Sequence, residues 1–125
     1  MKEYKPHFTS KELACKCCGQ GELQESTFNK LEAARNIAGI PFVINSGFRC
    51  KKSNDALIAS GSSVEQSAHT TGNAVDIKAL ASNTRYKVLD ALLRAGFTRI
   101  GIGKTFIHAD DDLTKPQGVI WRYND

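Results

Sequence analysis

The sequence predicts one compact α+β domain with an antiparallel-dominated sheet. Three observations carry that expectation. Helical periodicity dominates the first part of the chain, short strands dominate the last third, and no repeat, low-complexity tract or long linker divides the 125 residues. A chain of this length makes about one domain, which buries about two thirds of its unfolded surface. Hydrophobic residues make up 41% and charged residues 24%, and they are spread throughout, which excludes a disordered chain. No apolar run approaches the roughly 20 residues of a membrane span. The start, Met1 to Pro6, has no apolar stretch, so cytoplasmic synthesis without a signal peptide is expected. The formal charge is +4, but the bases are scattered, so neither nucleic acid nor membrane is expected as a partner. Residues 1–125 are read as a single domain, monomeric, with the cysteine-bearing segment 1–25 packed on it.

The elements follow in order. Thr9-Ser10-Lys11-Glu12 matches a capping box and predicts a short turn that carries Leu13 inward. Ser26 or Thr27 is expected to cap a helix with Phe28, Leu31, Ala34 and Ile37 or Ala38 on its apolar face, stopped by Gly39. Phe42 to Ser46 reads as a buried strand, and Ser53 as the start of a short helix through Asp55, Leu57 and Ile58. Gly61 to Ser67 is a polar loop. In Ala74-Val75-Asp76-Ile77-Lys78 the alternation places Val75 and Ile77 toward the core and Asp76 on the other face. A helix from Ser82 or Asn83 with Tyr86, Leu89, Leu92 and Leu93 on one face ends at Gly96. Strands 99–102, 105–110 and 119–123 complete the chain.

Four cysteines are present, three of them crowded into Cys15-Lys16-Cys17-Cys18 with Cys50 far away. That spacing is tighter than a C-x-x-C knuckle and its second half is missing, so reduced thiols in a loop are expected. Of the three histidines, His7 reads as an ordinary polar residue. His69 lies in a turn just before the strand that carries Asp76, and His108 and Asp110 share one face of a later strand. If those strands are neighbours, His69, Asp76 and His108 converge. Two imidazoles and one carboxylate with an open fourth position suit a catalytic zinc ion.

The stretch S-A-H-T-T-G-N-A-V-D resembles the S-x-H-x-x-G-x-A-x-D signature of zinc D-Ala-D-Ala carboxypeptidases and related peptidoglycan endopeptidases. That metallopeptidase group also includes lysostaphin and the hedgehog signalling domain. I-N-S-G-F-R-C-K-K-S-N and F-I-H-A-D are similar to two further segments of the family, and K-P-Q-G-V-I-W-R-Y is similar to the closing strand of its small phage-type members. The resemblance implies the hedgehog/D-Ala-D-Ala peptidase fold, one zinc ion held by His69, Asp76 and His108, and substrate binding by Arg49, Ser67 and Asn54. Hydrolysis by zinc-bound water is the implied reaction, with Arg49 steadying the oxyanion.

One departure stands out. The family's [ED]-x-x-H general base corresponds here to Thr105, which cannot take a proton. Asp110 is the expected replacement or, alternatively, a partner that orients a ligand histidine, with Glu65 and Asp111 as further candidates. The function expected is a zinc peptidase acting on peptidoglycan stem peptides or cross-links, endolysin-like, in a phage or prophage setting. The alternative is a non-catalytic zinc-bearing domain that binds peptide or cell wall.

Overall fold

In the computed structural model, which describes residues 7–61 and 67–123, the elements are α1 (Ser10–Leu13), α2 (Glu25–Ala38), β1 (Ile44–Ser46), α3 (Lys51–Ala59), a 3-10 helix (Ala68–Thr71), β2 (Ala74–Lys78), α4 (Ser82–Arg94), β3 (Arg99–Ile102), β4 (Phe106–Asp110) and β5 (Val119–Arg122). The α+β expectation holds. The five strands form one mixed sheet in the order β1-β2-β4-β3-β5. Pairs β1/β2, β2/β4 and β3/β4 are antiparallel, and the edge strand β5 runs parallel to β3.

The sheet works as a two-sided plate because side chains alternate along each strand. Val75, Ile77, Ile100, Ile107 and Ala109 point into one core with Phe28, Leu31 and Ala34 of α2 and Val88, Ala91 and Leu92 of α4. Phe8, Leu13 and Leu23 of the N-terminal segment join the same core. That segment is also tied by backbone: the Phe48 N–H donates to the Leu13 carbonyl at 2.9 Å and the Gln24 N–H to the Gly72 carbonyl at 2.8 Å. No helix among the described residues is long and apolar enough to cross a membrane.

Several local expectations are corrected. The α2 cap is Gln24, not Ser26 or Thr27. Both hydroxyls instead donate to the Asp111 carboxylate, at 2.8 and 2.5 Å, so a tertiary partner has claimed them. Helix α3 starts before Ser53, because the Cys50 sulfur accepts the Ser53 N–H and acts as cap. On α4 the buried stripe is Val88, Ala91 and Leu92, whereas Tyr86 and Leu93 are exposed. The predicted strand 42–46 is hydrogen-bonded as a strand only over Ile44–Ser46, with an irregularity in its register. The capping box at Thr9 and Glu12 is present as predicted. His7 meets a polar partner, the Glu32 carboxylate.

The cysteine loop differs most from expectation. The missing half of the pattern is Cys50, which the corner after β1 brings against Cys15, Cys17 and Cys18. All four are free thiols. Burial works against ionisation of Cys15, but hydrogen bonds from the Cys50, Cys17 and Cys18 backbones outweigh it and bring this thiol down to about 6.

Candidate metal centre

The register of the sheet builds the site. Ser46 pairs with Asp76, Asp76 with His108, His108 with Gly101, and Gly101 with Trp121. These residues form one row across all five strands, on the face away from α2 and α4. Beside it, Gly72 at φ +77 turns the chain from the 3-10 helix into β2 and delivers His69 to Asp76. A side chain at Gly72 would also collide with the Glu22 carbonyl, 2.6 Å from the Cβ position.

One ligand atom from each of His69, Asp76 and His108 lies within 4.8 Å of the others. Asp76 Oδ1 is 3.3 Å from His69 Nε2 and 2.9 Å from His108 Nδ1. Each imidazole is held from behind. His69 Nδ1 lies 2.7 Å from the Gly47 carbonyl oxygen, which can only accept, so Nδ1 carries the proton. His108 Nε2 lies 2.7 Å from Asp110 Oδ2. Burial lowers the pKa of His69 although Asp76 opposes the shift. A neutral ring with its proton on Nδ1 aims the Nε2 lone pair at a carboxylate oxygen. That nitrogen and the Asp76 oxygen, 3.3 Å apart, can both turn lone pairs toward one metal ion. Burial works against His108 too, but Asp110 and Asp76 outweigh it and raise its pKa. Burial raises the Asp76 pKa, yet the two histidines outweigh it and keep the carboxyl ionised. The donor set of one anion and two imidazoles therefore fits a divalent ion such as zinc.

Asp110 is buried behind His108. Its Oδ2 meets His108, while its Oδ1 accepts from Arg99 Nε at 2.8 Å and from the Asp112 N–H at 3.1 Å. Asp111 points away toward α2, where it accepts from Ser26, Thr27, Lys30 and Asn73. Thr105 is exposed in the turn before β4. Glu65 lies outside the described residues.

Arg49 and Ser67 meet each other, Nη2 to Oγ at 3.0 Å. Ser67 Oγ also accepts the His69 N–H at 3.2 Å, and the Arg49 N–H donates to the His69 carbonyl at 3.0 Å. Burial lowers the Arg49 pKa while Asp76 opposes the shift, so the guanidinium stays in the field of the Asp76 carboxylate. Asn54 is buried on α3.

Sequence reasoning missed Trp121 and Tyr123. Both lie across Gly101, where a Cβ would come within 2.5 Å of Tyr123 and 2.9 Å of Trp121. Their ring centroids stand 5.5 and 6.3 Å from that of His108. The signal was available in the alternation Trp121, Arg122, Tyr123, which sends both aromatics to one face. Burial beside Asp76 pushes the Tyr123 phenol up to about 12, so it keeps its proton at neutral pH.

The family model for peptidase M15 matches residues 6–110, most of the chain and all three candidate ligands. This chain belongs to the M15 peptidases. Members of that family are zinc-dependent, in agreement with the donor set described above. The fold is similar to that of the Serratia marcescens L-Ala D-Glu endopeptidase ChiX, at 21% identity and a TM-score of 0.59, over 70% of this chain and 79% of that one. No curated protein matches the sequence.

Proposed function

We propose that this M15 peptidase hydrolyses an amide bond in the stem peptides or cross-links of bacterial peptidoglycan, with one zinc ion held by His69, Asp76 and His108. The reading rests on one observation above others: two imidazole nitrogens and a carboxylate oxygen converge, and each imidazole is held by an acceptor on its far side. Zinc in such a site supplies a Lewis acid and a water whose pKa falls to roughly 7. Its resemblance to small phage-type members supports an endolysin-like role at the wall, and peptide is the partner. The ChiX protein is named for cutting an L-Ala D-Glu bond, which makes the stem peptide the first substrate to test.

The roles proposed for the other residues draw on the family resemblance and on their surroundings. Arg49, braced by Ser67, offers a guanidinium to the scissile carbonyl or to a substrate carboxylate. Asn54, buried on α3, is assigned to substrate binding by the family resemblance. Asp110 holds the His108 ring and is a positioning residue, since its oxygens are already engaged by His108, Arg99 and the Asp112 N–H. Tyr123, protonated at neutral pH, offers a donor beside His108. A second reading, a zinc-bearing domain that binds peptide without cutting it, draws on the exposed Thr105 and the occupied Asp110 carboxylate.

The deciding experiment is digestion of purified peptidoglycan by zinc-loaded protein, with chelator-treated and His69→Ala controls, followed by mass spectrometry of the released muropeptides. New termini that need both metal and His69 are expected, and they name the bond. Zinc-loaded protein that binds the polymer but releases nothing, even at high concentration, would establish the second reading.

A further inference from the structure

Outside the row just described, one other cluster of side chains among the described residues has the chemistry of a metal site. Cys15, Cys17 and Cys18 lie on the loop after α1, and Cys50 comes in from the corner before α3. Their four sulfurs all lie within 4.8 Å of one another. Cys15 Sγ is 3.4 Å from Cys17 Sγ and 3.5 Å from Cys50 Sγ, and Cys17 and Cys50 are 3.2 Å apart. Four sulfurs about 2.3 Å from a central ion stand about 3.8 Å apart along the edges of their tetrahedron. A disulfide needs about 2.05 Å and joins only two at a time.

The backbone around the cluster is arranged for thiolates. The Cys50 N–H donates to Cys15 Sγ and the Ser53 N–H to Cys50 Sγ, each at 3.4 Å. The loop is closed by hydrogen bonds from the Gly19 N–H to the Cys15 carbonyl at 2.7 Å and from the Cys15 N–H to the Gln20 carbonyl at 2.8 Å. Gly19 makes that reversal at φ +70. Cys17 and Cys18 are exposed, so an ion can reach the cluster from solvent.

We propose that Cys15, Cys17, Cys18 and Cys50 form a second, structural metal site that holds one thiophilic divalent cation, zinc, through four thiolates. Binding releases the thiol protons to solvent and forms four metal–sulfur bonds, with no oxidant involved. Four protein ligands leave no open position, so this ion takes no part in the chemistry. Its work is mechanical. Cys50 directly follows Arg49, and the same corner supplies the Gly47 carbonyl that holds the His69 ring. A Cβ at Gly47 would sit 2.5 Å from the Leu13 carbonyl oxygen, so the corner and the N-terminal segment are in close contact here. An ion shared between Cys50 and the loop after α1 locks that contact and fixes the position of Arg49.

Metal content measured by mass spectrometry on three purified proteins, kept reduced and supplied with zinc, tests this. Wild type is expected to hold two equivalents. The His69→Ala/Asp76→Ala variant is expected to keep one, and Cys17→Ser/Cys18→Ser, which alters only exposed thiols, is expected to keep the other. Cobalt(II) in the His69→Ala/Asp76→Ala protein should show the near-ultraviolet sulfur-to-cobalt charge-transfer absorption of a thiolate site, and the Cys17→Ser/Cys18→Ser protein should lack it. A folded His69→Ala/Asp76→Ala variant without metal, whose four thiols react freely with a thiol reagent, would overturn the proposal. So would a mass showing those cysteines paired as disulfides in the reduced preparation. Because this readout uses protein lacking the first site, its failure leaves the peptidase reading untouched, and loss of peptidase activity leaves this site untouched.

Discussion

A histidine serves as a metal ligand only through the nitrogen that does not carry the proton, so whatever holds the other nitrogen decides the chemistry. For His69 that holder is a backbone carbonyl, which no side-chain substitution removes. For His108 it is Asp110, and this makes the role of Asp110 testable. Asp110→Ala is expected to weaken zinc binding about 10- to 100-fold, as loss of such an orienting partner does, measured by competition with a chelating dye. Zinc affinity unchanged while turnover collapses would instead make Asp110 the proton acceptor. If Arg49 acts on substrate as proposed, Arg49→Ala should lower kcat/KM by about 100-fold or more with zinc content unchanged. The convergence of the candidate ligand trio was legible in the sequence because strand alternation put Asp76 and His108 outside the core. The two possible jobs of Asp110 were not separable there. Both need a carboxylate two residues after His108, and only the sheet shows that Arg99 and His108 already occupy its oxygens.

At the scale of elements, Asp111 shows why helix α2 does not start where local capping rules place it. Ser26 and Thr27 are ordinary capping residues, and local rules assign their hydroxyls to the helix they begin. Their actual partner is 85 and 84 residues away in the chain. Asp111, just past the end of β4, gathers Ser26, Thr27 and Lys30 from α2, and Asn73 from the turn before β2. Burial raises its carboxyl pKa, but those four donors outweigh it and hold the group below its usual value. A carboxyl lowered in the folded state stabilises the protein fully above its unfolded value, near 3.9, and loses that contribution as pH falls through the folded value. Denaturant unfolding between about pH 2 and 5 should therefore show wild-type stability falling with acid. In Asp111→Asn the curve should be flatter and lower at neutral pH, by about 3 kcal/mol. A neutral-pH stability equal to wild type would mean that this clamp contributes nothing to the packing of α2.

Across the whole molecule, the sheet divides the labour: one face holds the core under α2 and α4, and the other carries the row from Ser46 to Trp121. The strands of that row were mostly legible from alternation, but their order was not. Nothing local announces that β5 lies parallel beside β3, and that pairing is what brings Trp121 and Tyr123 across Gly101 to His108. The same long-range closure makes the candidate metal ligands meet only in the folded chain, since residues 69, 76 and 108 come from three separate elements. An ion that binds the native state and not the unfolded one adds about 2.7 kcal/mol of stability at a hundredfold excess over its dissociation constant. In a domain of this size that corresponds to a rise of roughly 10 °C in Tm. Calorimetric melting of the Cys17→Ser/Cys18→Ser protein, in which only the His69, Asp76 and His108 site is intact, should show that rise on adding zinc. Introducing His69→Ala into the same protein should remove it. If the rise survived His69→Ala, the ion would be binding elsewhere, and the convergence of these three residues would have to be explained by their own hydrogen bonds alone.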